Sequence, residues 1–277
     1  MVDGDNLVVP AGPDSICTVK FYLVDAFADG LFSGNPAGVC LVESALDEAT
    51  MAQIAAECPV SETAFVTEQA GRFHLRWFTP TVEVDLCGHA TLAAAFVLMN
   101  YGRSAMREVQ FQTRSGILSV QRDGDLYVMD FPAWTPSPVA VTPKMAQVIG
   151  VPVLEAYLSR DLLLVVESEQ TVRDLRPDVA GVAQIAESGV IVTAAGVTAD
   201  FVYRFFAPNM GIPEDPVTGS AQSSLVPFWA PRLSAKSLTA RQLSRRGGTL
   251  YCQDRQDRVS IAGRAVLYLQ GEIADFA

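Results

Sequence analysis

With 277 residues, 49% of them hydrophobic and 18% charged, the chain can bury two cores of ordinary domain size and does not have a disordered composition. Its 31 acidic residues against 20 basic ones leave a net charge of −11, which argues against a nucleic-acid ligand, where a basic footprint is expected. Five scattered cysteines with no Cys-x-x-Cys, and only two histidines, argue against a disulfide framework and a histidine-based metal centre, and suit a reducing, cytoplasmic setting.

Residues 1–16 carry Asp3, Asp5 and Asp14 and no Lys or Arg, so they lack the basic start of a secretory signal and are expected to be a disordered extension. Strands are predicted over 19–26 and 38–43, around the turn-rich Ser33-Gly34-Asn35-Pro36. A helix is predicted over 46–57, ending before Pro59, followed by strands over 63–67 and 72–79. His74 falls within this alternation and reads as structural. The segment from Gly88 to Tyr101 reads as a helix that is apolar nearly all round. Its longest apolar run is too short to span a membrane, so other structure must wrap it. Strands over 116–122 and 126–131 flank the hairpin signal Asp123-Gly124. Three prolines in seven residues then mark 131–138 as a linker.

The later elements are a helix over 144–149, a strand over 162–167, a helix over 179–187, and strands over 190–193 and 201–206. A helix should start at Gly219 and be kinked or ended early by Pro227. A hairpin over 247–253 and 258–262 and a last strand over 266–273 complete the chain. That last strand could pair within the second half or cross back to the first.

The second half repeats the first. Leu41-Val42-Glu43-Ser44 returns as Val165-Val166-Glu167-Ser168, and Phe65-Val66-Thr67 as Ile191-Val192-Thr193. Arg76-Trp77-Phe78-Thr79-Pro80 returns as Arg204-Phe205-Phe206-Ala207-Pro208, and Cys87-Gly88-His89-Ala90 as Thr218-Gly219-Ser220-Ala221. The matches keep their order at offsets of 124 to 131 residues. The expected architecture is therefore α+β, with two pseudo-symmetric lobes. Each is a curved, mostly antiparallel sheet or near-barrel around a central helix, with boundaries at 17–132 and 133–277. A cleft between such lobes is a favoured place for a small-molecule site.

Two glycine-containing segments, at Gly88 and Gly219, open the paired central helices. Helix starts offer free N–H donors and partial positive charge, so two anion seats should converge on one cleft; turn-shaping and capping are the alternative roles. Chemistry is sought where the copies differ. Glu62 stands opposite Ser188, and it reads either as an exposed loop residue or as an acid/base in the cleft. His89 stands opposite Ser220. At a helix start its imidazole should be neutral, serving as a cap or as a donor or acceptor. Cys87 stands opposite Thr218, so a symmetric two-thiol proton exchanger is not supported. Asn35 reads first as a turn residue, with an amide that could reach a ligand.

At these segments the chain resembles the PhzF-like family of phenazine-biosynthesis isomerases, within the diaminopimelate-epimerase-like fold. The stretches that carry the resemblance are Val24-Asp25-Ala26-Phe27, Gly34-Asn35-Pro36-Ala37-Gly38, Ser61-Glu62-Thr63-Ala64-Phe65, Cys87-Gly88-His89-Ala90-Thr91 and Glu214-Asp215-Pro216-Val217-Thr218-Gly219-Ser220-Ala221. The resemblance implies a homodimer with no metal or organic cofactor. It also implies a glutamate, here Glu62, that shuttles a proton between carbons of a substrate such as trans-2,3-dihydro-3-hydroxyanthranilate. The family's polar site residues fall on His89, Asp215 and Ser220, beside Gly88 and Gly219. The expected partner is a small anionic or zwitterionic substrate, with no nucleic acid and no membrane. Two other readings stay open: a racemase or epimerase using Cys87 with a second base, and a non-enzymatic metabolite-binding scaffold.

Overall fold

The apolar segment after Gly88 does form a helix, and the first half of the chain wraps it. The computed structural model describes residues 19–43 and 46–273; the expected extension 1–16 lies outside them. The strands of the first half are β1 (Val19–Ala26), β2 (Asn35–Val42), β3 (Glu62–Gln69), β4 (Arg72–Phe78), β5 (Glu83–Val84), β6 (Glu108–Thr113), β7 (Gly116–Asp123) and β8 (Leu126–Pro132). The second half adds β9 (Ser137–Val139), β10 (Glu155–Leu158), β11 (Leu162–Val165), β12 (Val190–Ala195), β13 (Phe201–Ala207), β14 (Ile212–Asp215), β15 (Ser237–Gln242), β16 (Gly248–Asp254), β17 (Arg258–Gly263) and β18 (Ala265–Ile273). Helices are α1 (Glu48–Glu57), α2 (Gly88–Val97), α3 (Pro143–Ile149), α4 (Glu169–Asp174), α5 (Val179–Val182) and α6 (Gln222–Leu233).

One hydrogen-bonded sheet runs through both lobes. Its first half is ordered β18-β1-β2-β3-β4-β6-β7-β8, with β5 beside β4. The antiparallel pair β8–β17 joins it to the second half, ordered β17-β16-β15-β13-β12-β11-β10-β9, with β14 beside β13. The halves match strand for strand, including the parallel pairs β2–β3 with β11–β12 and β4–β6 with β13–β15. The strand left open from sequence, β18, crosses back and pairs along the whole of β1. Its counterpart β9 crosses in the opposite sense from the linker to β10, so the proline-rich 131–138 is not wholly irregular.

Inside the first half, α2 buries all of its residues except Gly88 and Phe96. Ala90, Ala93, Ala94 and Ala95 are fully buried, and such small side chains let the strands approach from every side. The helix continues into a π turn over Leu98–Gly102. No helix among the described residues is long and apolar enough to cross a membrane.

Three sequence expectations need correction. α6 starts at Gln222 rather than Gly219, because residues 219–221 form a tight turn in which Gln222, Ser223 and Ser224 donate three residues back. Pro227 does not end it: the helix runs through Pro227 and Pro231 to Leu233. Pro227 cannot donate to the carbonyl of Ser223, but the Trp134 N–H from the linker donates to that carbonyl at 2.7 Å. The helix predicted over 179–187 stops at Val182, because the Asn209 amide draws the carbonyls of Ala183 and Ala186 out of helical pairing, at 3.0 and 2.9 Å.

Candidate active site

Glu62 is the first residue of β3, in parallel register with Ala37 of β2. His89 is the second residue of α2, whose N-cap Cys87 offers no side-chain capping bond. Asp215 ends β14. Because the lobes face each other, these three chain ends meet at a cavity of about 160 Å³ lined by Glu62, Cys87, Gly88, His89, Asp215, Gly219 and Ser220. The structure thus brings seven of the eight sequence-predicted site residues to one cavity. The eighth, Asn35, is completely buried and does not line the cavity. It opens β2 and donates its amide to Asp215 Oδ1 at 2.8 Å and to the Val217 carbonyl at 2.9 Å, so it holds Asp215 across the lobe boundary. His74 lies on β4, away from the cavity.

Glu62 Oε2 stands 3.2 Å from His89 Nε2, with both side chains about nine-tenths buried. Neither atom has a hydrogen-bond partner among the described residues, so their approach is too bent to count as one. A buried donor and acceptor left in this state are available to a ligand. At the other ring nitrogen, Cys87 Sγ lies 3.5 Å from His89 Nδ1. Burial and the Glu62 charge push the Cys87 thiol up, which keeps it protonated at neutral pH. Burial pulls His89 down, but the Cys87 sulfur first and the Glu62 carboxylate after it outweigh burial and raise the imidazole well above the ordinary histidine value. This shift runs against the neutral imidazole expected from the helix start: the neighbouring sulfur and a carboxylate at 3.2 Å outweigh a half-charge at the helix end.

That pair has a pH consequence. The folded state binds the His89 proton more tightly than the unfolded chain, so the pair's stabilisation is full below the unfolded histidine pKa and is lost as pH rises through the higher folded value. NMR titration should place the His89 midpoint above 6.5 in the wild type and lower it in Glu62→Gln, where burial acts without the carboxylate. Unchanged midpoints in the two proteins would contradict the pairing.

Asp215 is held at both oxygens, by Asn35 at Oδ1 and by the Thr218 hydroxyl at Oδ2. Burial raises its carboxyl pKa, opposed by His89 and by these two donors. Gln242 locks the same turn by accepting from Thr218 N–H at 2.7 Å and donating to the Asp215 carbonyl. The backbone N–H groups of Gly219 and Ser220 have no acceptor among the described residues, and both residues line the cavity, as does Gly88 at the start of α2.

Glu62, Cys87 and His89 also bring three potential metal-donor atoms within 4.8 Å of one another. Three protein donors are one short of the four that a closed structural site uses.

Arg160, which also lines the cavity, escaped the sequence reading. A signal was present. Extending the 124-residue offset of 41–44 and 165–168 back a few positions sets Ser159-Arg160 against Asn35-Pro36, a difference between the copies.

The architecture, with its two matching halves, defines a two-lobed protein of the diaminopimelate-epimerase-like fold. The fold is shared with a hydroxyproline epimerase of Agrobacterium vitis, solved with bound trans-4-hydroxy-L-proline, at a TM-score of 0.58 and 12% identity over 93% of each chain. The chain belongs to the PhzC-PhzF family of phenazine biosynthesis-like proteins, whose profile matches residues 24–271. An uncharacterized isomerase of Pseudomonas aeruginosa is 51% identical over 92% of this chain and 98% of its own. A crystal structure of a PhzF-family protein from Enterococcus faecalis superposes with a TM-score of 0.91 at 45% identity, over 92% of this chain and 99% of that one.

Proposed function

We propose that the protein is a cofactor-independent isomerase that moves a proton between carbons of a small carboxylate-bearing substrate, as in the isomerisation of trans-2,3-dihydro-3-hydroxyanthranilate. The observation that carries this reading is the unpartnered Glu62 Oε2, 3.2 Å from His89 Nε2 in the cavity between the lobes. Glu62 takes a proton from one carbon and returns it to another carbon of the same conjugated system. The proton count balances within the substrate, and no electrons leave it. His89 offers its Nε2–H to the substrate or to the carboxylate beside it, and the buried Asp215 contributes a second polar group. The free N–H groups near Gly88 and Gly219 receive developing negative charge.

A second reading, a racemase with Cys87 as one base, has the thiol's position in its favour. Against it, Thr218 stands where a second thiol would be needed, and its hydroxyl is already committed to Asp215. Solvent deuterium incorporation, followed by NMR over a panel of small carboxylic acids that includes trans-2,3-dihydro-3-hydroxyanthranilate, separates the two. Cys87→Ala is expected to keep exchange within about tenfold of wild type, because the thiol only orients His89. Exchange abolished in Cys87→Ala and retained in Glu62→Gln would establish the racemase.

A further inference from the structure

Arg160 sits in the turn between β10 and β11, on the C-terminal-lobe wall of the cavity. Among the described residues it is the only arginine or lysine lining a space that also contains the carboxylates of Glu62 and Asp215. Its guanidinium is fixed from three directions. The fully buried Asp161 carboxylate accepts from Nε at 3.1 Å and from Nη2 at 2.9 Å. The Trp134 ring lies 4.9 Å from the guanidinium carbon. Nη2 also donates to Ser220 Oγ at 3.2 Å. Asp161 is itself anchored by the Gly189 N–H at 3.0 Å. After these contacts Nη1 has no partner among the described residues, and the Ser220 hydroxyl, acting as acceptor, keeps its own hydrogen free.

We propose that Arg160 is the substrate-anchoring residue of this chain, aimed by Asp161 so that Nη1, the Ser220 hydroxyl and the free N–H groups of Gly219 and Ser220 together receive a carboxylate. This deepens the isomerase reading and rests on it for the identity of the cavity. A negatively charged cavity wall in a protein of net charge −11 disfavours an anionic ligand unless a cation is built into it. Arginine presents a planar fork that matches a carboxylate, and an arginine whose rotamer is already fixed loses little entropy on binding. Asp161 offsets part of the charge, so the gain is that of a charge-assisted hydrogen bond and not of a bare ion pair. Anchoring the acid on the Arg160 wall leaves the remainder of a small ring to lie toward Glu62 and His89.

The test compares acid and amide probes of one shape, 2-aminobenzoate with 2-aminobenzamide and benzoate with benzamide, by thermal shift and calorimetry on the full chain. The acids should raise the melting temperature of the wild type and the amides should not. Arg160→Gln should weaken the acids by about tenfold and leave the amides unchanged. Arg160→Lys should recover part of the loss, and Asp161→Asn should weaken the acids by freeing the guanidinium. Glu62→Gln should still bind the acids, so failure of the proton-transfer reading would appear there without touching the anchor. Equal binding of acid and amide, undiminished acid binding in Arg160→Gln, or no binding of either acid by the wild type overturns the proposal.

Discussion

Glu62→Gln is expected to slow solvent-deuterium incorporation by about 10²- to 10⁴-fold, the usual contribution of a positioned acid/base. The change keeps the shape of the side chain and removes its charge. It breaks no hydrogen bond at Oε2, which has none among the described residues, and removes only the charge pairing with His89, so the fold should be preserved, and the melting temperature is the control. The loss should fall on kcat rather than KM, because carboxylate recognition belongs to the other wall of the cavity. The neighbouring groups cannot substitute for it. Burial alone still holds Cys87 as a thiol in the variant, and Asp215 is bound at both oxygens by Asn35 and Thr218. A Glu62→Gln enzyme that exchanges at the wild-type rate would remove the proton shuttle from this site.

Much of this site was legible before any coordinates, for a physical reason. Duplication makes each lobe a reference for the other, so Glu62 opposite Ser188 and His89 opposite Ser220 stood out as departures from the repeat. The wrapped helix was legible because no soluble helix keeps an apolar surface all round unless it is enclosed. The misreadings share a cause too: the deciding partner is remote in sequence. Pro227 fails to end α6 because Trp134 satisfies the carbonyl it frees. Asn35 reads as a turn residue because its true partner, Asp215, lies 180 residues away. His89 reads as neutral from its own helix start, whereas the Cys87 sulfur and Glu62, on another element, raise its pKa. Local pattern reports which elements form; what satisfies their polar groups is decided by packing.

Phe27 belongs to that remote kind, and replacing it with alanine should produce the largest loss of stability. It lies in the turn after β1 with φ at +57°, a left-handed conformation that a bulky side chain adopts only when its surroundings compel it. The ring is fully buried against glycines of the second lobe. A Cβ placed on Gly263 would come within 2.3 Å of Phe27 Cδ1, and one on Gly219 within 3.1 Å of Cζ. Backbone bonds from Thr249 N–H to the Phe27 carbonyl and from Ala28 N–H to the Arg264 carbonyl hold the wedge in place. Phe27→Ala should therefore cost about 3–5 kcal/mol. Thermal unfolding should fall by about 10 °C. The Gly219–Ser220 turn would also lose the ring behind it, so acid binding should weaken. Gly263→Ala should destabilise by about 1–3 kcal/mol through overpacking. Because the added methyl and the ring compete for one space, Gly263→Ala should cost markedly less in a Phe27→Ala background. Additive losses in that double-mutant cycle would mean that ring and glycine do not meet, and that something other than this wedge sets the distance between the two walls of the cavity.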